Sequence, residues 1–407
     1  MAQNSFLFHW FGSLLLLWVI ACQHTGARSN TNQEMISGGE APASQTLKQP
    51  NNLPVTKARL LASARLGGDY LIRMQKSDGS FQYRYDAEKD EYLYDTYNIL
   101  RHTGTAYALF QLYETTRDVR FLNAARKAML FLKTRFRPAH VKNAIYILDF
   151  DGKAKLGANG LALLALTRQL ELDNKSANRT DANRLANMII AQQHKDGSFQ
   201  SYHPVRGDEP EGNVSLYYPG EAILGLVALY RIENDKRLLE AAERGANYLI
   251  ESQGRMDALP PDAWLMQALE SLNKIKPQKR YIDHAIAIAE TMLSYQYDEE
   301  DPPEYAGGFS PGVPRSTPAA SRSEGILAAY RMAKTANDSR AGKLADALKL
   351  SARFQLSQQF MGDEKSALPN PQRAAGGFRE SLEVMRVRID YVQHNISALL
   401  GIADALY

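Results

Sequence analysis

Five residues in this chain carry side chains suited to proton transfer: His102, Glu221, Glu324, Asp390 and His394. Each stands in a polar or aromatic cluster that opens a stretch otherwise rich in small and apolar residues. Asn98 lies three residues from Arg101 and four from His102, and Asp390 lies four from His394, spacings that share one helix face. Glu221 with Glu324 or Asp390 could supply the acid and base of glycoside hydrolysis, in which the carboxyl separation sets the stereochemistry. Alternatively, an arginine neutralises a uronate carboxylate while His102, His394 or a tyrosine abstracts the C5 proton, which is lyase or epimerase chemistry. Arg101, Arg322 and Arg388 suit bidentate contact with carboxylate or phosphate. Tyr97, Asn98, Tyr217, Tyr218, Trp264 and Tyr391 complete a candidate binding set, with the flat faces and hydroxyls that sugar sites use.

Plainer roles compete at several positions. Asp95, Asp262, Ser321 and Asp390 read equally as helix N-caps. Gly104, Gly157, Gly220 and Gly325 read as close-packing residues, and Asp149-Phe150-Asp151-Gly152 as a tight turn rather than a cation site. Trp264 is either core or a stacking platform. Arg101 and His102 differ, because burying them without a purpose is costly. No nucleophile elbow, zinc-protease motif or phosphate-binding loop is present, no metal-ligand spacing stands out, and no cofactor is implied.

These clusters need a scaffold to bring them together. The chain has 407 residues, of which 44% are hydrophobic and 23% charged, an ordinary globular composition that excludes collagen, a disulfide scaffold and wholesale disorder. The net charge of +3, with no basic stripe, gives no sign of nucleic-acid binding. From about Ala58 onward apolar residues recur with a helical period and no alternating strand stands out. Six small-residue helices, starting near Tyr97, Lys155, Tyr218, Asp262, Ser321 and Tyr391, alternate with amphipathic ones. Helices apolar nearly all round are buried and amphipathic ones cover them, so the pattern predicts an all-α (α/α)6 toroid over residues 58–407. In such a ring the starts of the inner helices surround one mouth, where helix dipoles and arginines favour an anionic ligand.

Two segments repeat closely: Gln75-Lys-Ser-Asp78-Gly79-Ser80-Phe81 and Gln193-His-Lys-Asp196-Gly197-Ser198-Phe199. Weaker echoes join Gln296 to Gly307-Gly308-Phe309, and Gln358 to Gly376-Gly377-Phe378. The repeats resemble the turn motifs of α/α toroids, among them terpene cyclases, prenyltransferases and six-hairpin carbohydrate enzymes. The hairpin beginning Gly220-Glu221-Ala222 resembles those of sugar epimerases and glycosidases, and Arg388-Ile389-Asp390-Tyr391-Val-Gln-His394 is similar to the C-terminal motif of glucuronyl C5-epimerases. The resemblance implies an enzyme acting on a glycan, and the arginines add that the glycan is acidic. A non-catalytic glycan- or partner-binding lipoprotein of envelope assembly is the alternative, with a terpenoid cyclase behind it, since neither an aspartate run nor an apolar mouth is evident.

The N-terminus carries an address. Residues 6–21 are almost wholly apolar, too short for a membrane span and placed as a secretory signal. Val19-Ile20-Ala21-Cys22 resembles the bacterial lipobox, which implies lipidation of Cys22. As Cys22 is the single cysteine, disulfides and cysteine-based zinc sites are excluded. The expected layout is a signal over residues 1–21, a lipidated cysteine with a polar tether over 22–57, and the ring over 58–407. The expected location is the bacterial envelope, facing the periplasm, with Gln23 after the cysteine resembling outer-membrane sorting.

Overall fold

A computed structural model describes residues 54–94, 97–173, 176–205, 215–361 and 366–407. Cys22, the apolar N-terminal run and Asp95 lie outside the described residues.

Local signals start and stop the helices. Thr56 caps α1 (Lys57–Met74), Asn98 caps α2 (Ile99–Thr116) and Asp118 caps α3 (Val119–Lys133), each accepting a backbone N–H of the first turn. α4 (Leu156–Asp173) and α5 (Ser176–Ala191) follow. α6 (Tyr218–Glu233) opens with Pro219, and Asp235 caps α7 (Lys236–Gln253). Asp262 caps α8 (Ala263–Ile275), which leads to α9 (Lys279–Leu293). α10 (Ser316–Thr335) begins five residues before the expected Ser321, because Pro318 sits in the first turn, where its missing N–H has no partner to lose. α11 (Ala341–Ser357), the short α12 (Pro371–Ala374) and α13 (Ile389–Leu406) complete the set.

Packing sorts these helices into two layers. α2, α4, α6, α8, α10 and α13 form a closed inner ring in which each packs on the next and α13 returns to α2. α4 is buried at every position from Leu156 to Thr167, as an inner helix must be. α3, α5, α7, α9 and α11 each cover the inner helix preceding them, while α1 covers α13 and closes the circle. Inner helices approach closely where glycines allow it: a Cβ on Gly225 of α6 would stand 2.5 Å from the Gly160 carbonyl oxygen of α4. The fold is therefore an (α/α)6 toroid with one main hydrophobic core and a small satellite cluster around Tyr146 and Met188.

The repeated motif clamps the outer layer. Gln75, Gln193, Gln296 and Gln359 each donate from the side-chain amide to the carbonyl of the following turn glycine. Each also donates to a carbonyl of another outer helix: Ala124, Ala241, Ala347 and Ser63 respectively. The fourth member is thus Gln359, one residue beyond the Gln358 that the spacing singles out. The turn glycines, Gly79, Gly197, Gly307 and Gly376, have φ between +81° and +97°. A Cβ on any of them would press within 2.1–2.5 Å of an outer-helix carbonyl oxygen, so only glycine fits.

Connections set the polarity of the ring. Inner-to-outer links are short, such as Arg117–Asp118 and Asn234–Asp235, whereas outer-to-inner links run to 24 residues at 75–98 and 31 at 358–388. Short strands line these long links: β1 (Arg84–Asp86) pairs antiparallel with both β2 (Glu91–Leu93) and β7 (Arg386–Arg388). β3 (Phe136–Pro138) pairs with β4 (Ile145–Ile147), and β5 (Ala154–Lys155) with β6 (Tyr202–His203). At two or three residues, such strands are too short to show an alternating pattern in sequence. All six inner helices begin at the long-loop end, the end that carries the candidate residues. Among the described residues no helix is long and apolar enough to cross a membrane.

Candidate active site

His394 and Glu324 meet inside the ring. His394, in the second turn of α13, places Nδ1 2.7 Å from Oε2 of Glu324 on α10. Both are largely enclosed, with side-chain exposures of 14% and 7%. The Trp264 ring of α8 lies 6.1 Å from the imidazole. With Nδ1–H donating to the carboxylate, Nε2 is left as the lone-pair nitrogen, and it has no hydrogen-bond partner among the described residues. Burial pulls the His394 pKa down. The Glu324 carboxylate, by charge and hydrogen bond, and Asp390 outweigh burial and the opposing Arg101, so the net direction is up. A neutral imidazole oriented by a carboxylate, with its second nitrogen unpartnered among the described residues, has the arrangement that general-base chemistry uses.

Beside it stands a fixed guanidinium. Asp390, in the first turn of α13, is buried and grips two arginines: Arg101 Nε lies 3.3 Å from Oδ2, and Arg388 Nε and Nη2 lie 2.5 and 2.9 Å from its two oxygens. Arg101 also donates to the Tyr83 hydroxyl at 2.6 Å. The Arg388 guanidinium lies 4.6 Å from the centre of the Tyr391 ring, whose hydroxyl burial pushes up to about 12. Both Asp390 oxygens are occupied, and this carboxylate orients Arg101 and Arg388. Tyr83, which steadies Arg101, follows the first turn motif by two residues and carries no sequence signal of that role.

Glu221 is placed differently from its expected partners. It sits in the first turn of α6, 3% exposed, and Oε2 has no hydrogen-bond partner among the described residues. A Cβ on Gly157 would fall 1.9 Å from that oxygen, so the carboxyl is wedged against the α4 backbone. Burial, and then the charge of Asp262, hold its pKa well above the carboxylate range. Asp262 caps α8 through Oδ1 while Oδ2 has no partner among the described residues, and burial pushes its pKa up to about 7 despite the N–H groups of Leu265 and Trp264. The cap role expected for Asp262 holds; its coupling to Glu221, across 41 residues of sequence, is invisible without the fold.

His102 is not brought to this group. It is fully buried between α2 and α3, with Nδ1 accepting from the Tyr97 hydroxyl at 2.8 Å and Nε2 donating to the Ala128 carbonyl at 2.9 Å. Phe81 and Phe131 pack on its ring, and burial pushes its pKa down to about 4. Tyr97 accepts the Phe81 N–H and packs on Phe131 and Phe150, and Asn98 is the α2 cap. All three hold the first hairpin together and do not face the ring axis. Replacing His102 by Ala should lower unfolding free energy by about 3 kcal/mol, since it opens a cavity and strands the Tyr97 hydroxyl and Ala128 carbonyl. Urea denaturation checks this. The neutral His102 also makes stability fall as pH drops from 6.5 toward 4, because the unfolded chain takes up the proton first.

The remaining candidates ring the long-loop end. Tyr218 meets Tyr202 edge-on at 5.8 Å, Tyr217 is 43% exposed, and the Arg322 guanidinium lies 4.8 Å from the Phe309 ring centre. The 149–152 segment is a tight turn: Gly152 takes φ +78°, and Lys155 binds both Asp149 and Asp151. No group of three or more metal-ligating side chains converges among the described residues. At the short-loop end a cavity of about 610 Å³ opens between the C-terminal halves of the inner helices, rimmed by Arg168, Arg231, Glu270 and Arg331, and it reaches Glu324.

No family model and no curated protein sequence match the chain. Solved structures do. A cellobiose 2-epimerase from Bacillus thermoamylovorans superposes with a TM-score of 0.64 at 12% identity, over 86% of this chain and all of its own. A D-mannose isomerase gives 0.62 at 15%, over 87% and 100% of the two chains. A family 76 α-mannanase of Bacteroides thetaiotaomicron gives 0.60 at 10%, over 85% and 95%. At these identities the likeness establishes the toroid fold, which accommodates unrelated reactions.

Proposed function

We propose that the chain is a carbohydrate-active enzyme that moves a proton to and from a sugar carbon, as an epimerase, isomerase or lyase does. The observation carrying this reading is the His394–Glu324 pair, beside Arg101 and Trp264, with Nε2 unpartnered among the described residues. Nε2 takes the proton from a carbon next to a carbonyl, and the electron pair moves onto the carbonyl oxygen. Arg101, oriented by Asp390, stabilises that oxyanion. Return of the proton to another face or carbon gives an epimer or isomer, while loss of a leaving group gives elimination. Trp264, 8% exposed and part of the core, packs beside the imidazole and fixes its position. The likeness to an epimerase and an isomerase supports the reading.

Hydrolysis is the second reading, favoured by Asp262, which holds a proton up to about pH 7 beside Glu221. It ranks lower because Glu221 is wedged against α4, Asp390 is bound by two arginines and Glu324 by His394. Incubating the purified chain with neutral and uronate mono- and disaccharides, and following products by NMR, separates the two. Products of unchanged mass, or unsaturated ones, are expected. Water-added fragments would establish hydrolysis, and no turnover at all would favour a binding protein.

We also propose export and lipidation at Cys22, with the ring held at the envelope by a polar tether. Cys22→Ser should release the protein from the membrane fraction. Retention with the apolar segment uncleaved would replace the lipid by an N-terminal anchor.

A further inference from the structure

We propose that Arg322 is the anion-recognition point of this same site, taking the carboxylate or sulfate of an acidic sugar residue. The inference rests on the glycan reading above and names the class of glycan.

Arg322 stands in the second turn of α10, two residues before Glu324, so the two side chains leave the helix from different faces and Arg322 lies on Phe309 rather than on the His394–Glu324 pair. Its guanidinium is half-buried on the face of Phe309, itself fixed in the core by the third turn motif. It makes no hydrogen bond or ion pair among the described residues. The groups that set its environment are the Tyr217 and Tyr295 hydroxyls and a second cation, Arg315. Burial and Arg315 act to lower its pKa, against the two tyrosines, and no carboxylate among the described residues acts strongly on it.

Several other cations at the long-loop end are compensated, although Arg135 and the exposed Arg315 have no carboxylate partner among the described residues. Arg101 and Arg388 share Asp390, Arg84 and Arg386 share Glu380, Lys155 holds Asp149 and Asp151, and Arg373 holds Asp90. A desolvated guanidinium without a counter-charge is unfavourable unless something supplies the charge. Arg presents a planar fork matched to carboxylate and sulfonate oxygens. α8 packs against both α6 and α10, so Trp264 at its start lies between the helix that Tyr217 opens and the helix that carries Arg322. An anion on Arg322 therefore holds the sugar near Tyr217, at the long-loop end of the helix that carries Trp264.

Titration calorimetry with the full chain tests this, using methyl glucuronide as the free acid, its neutral methyl ester, and a sulfated neutral glycoside. The wild-type chain should bind the acid or the sulfate at least about tenfold more tightly than the ester, and the tighter of the two anions identifies the source. Arg322→Gln should erase that preference and leave ester binding unchanged, and Arg322→Lys should restore part of it. Arg322→Met, which keeps the packing on Phe309, should behave like Arg322→Gln. Equal binding of acid and ester by the wild-type chain overturns the proposal, as does parallel weakening of both by Arg322→Gln. If neutral sugars bind and turn over through His394 with no preference for anions, only this inference falls. If no saccharide of either kind binds, the glycan reading falls with it.

Discussion

His394→Gln should reduce turnover by about three orders of magnitude, the upper range for a positioned general base, while KM changes little. Glutamine fills most of the imidazole volume and can still donate to Glu324, so the fold should survive. What it lacks is a nitrogen lone pair of suitable basicity where Nε2 now stands. Circular dichroism and thermal unfolding matching the wild type would establish that the loss is chemical. A loss below about threefold would remove His394 from the mechanism, since even weak general bases contribute more.

Glu324→Gln acts on the same base through its pKa. The base must be neutral to accept a proton, so activity is lost as pH falls through the His394 pKa. In the native chain that pKa lies above the ordinary 6.5, because Glu324 and Asp390 outweigh burial and Arg101. Removing the Glu324 charge leaves burial and Arg101 opposed by Asp390 alone, so the acid limb of the pH–rate profile moves to lower pH. At the high-pH plateau the variant should be about tenfold slower, because the imidazole loses basicity and part of its orientation. A limb that stays in place would show that another group controls it. Trp264 adds no charge, and no other charged group acts strongly on His394 from α8.

Much of the scaffold is legible in the sequence because buried and covering helices differ in composition. Gly, Ala and Leu run around every face of α4, whereas α7 is polar on one side. The glutamine–glycine–phenylalanine turns are legible for a related reason: a positive φ against a neighbouring backbone leaves glycine as the one solution. The candidate site is only partly legible. A helix buried all round has no polar face to mark the ring axis, so sequence could not tell His394, which faces it, from His102, which faces α3. The same ambiguity hides the wedging of Glu221 against Gly157 and the occupation of Asp390 by two arginines. Tyr83 and the Asp262–Glu221 coupling arise between segments far apart in the chain, where no local spacing could announce them.

In the proposed mechanism Nε2 of His394 carries a proton between a sugar carbon and solvent. Running the reaction in D2O and reading the recovered substrate and product by NMR and mass spectrometry tests it directly. An epimerase or isomerase of this kind should place deuterium on the carbon next to the carbonyl, at a rate that His394→Gln reduces in step with turnover. A lyase should release that carbon-bound hydrogen to solvent and slow when the substrate is deuterated there. Turnover in D2O with the hydrogen on that carbon untouched, and undiminished in His394→Gln, would contradict the account.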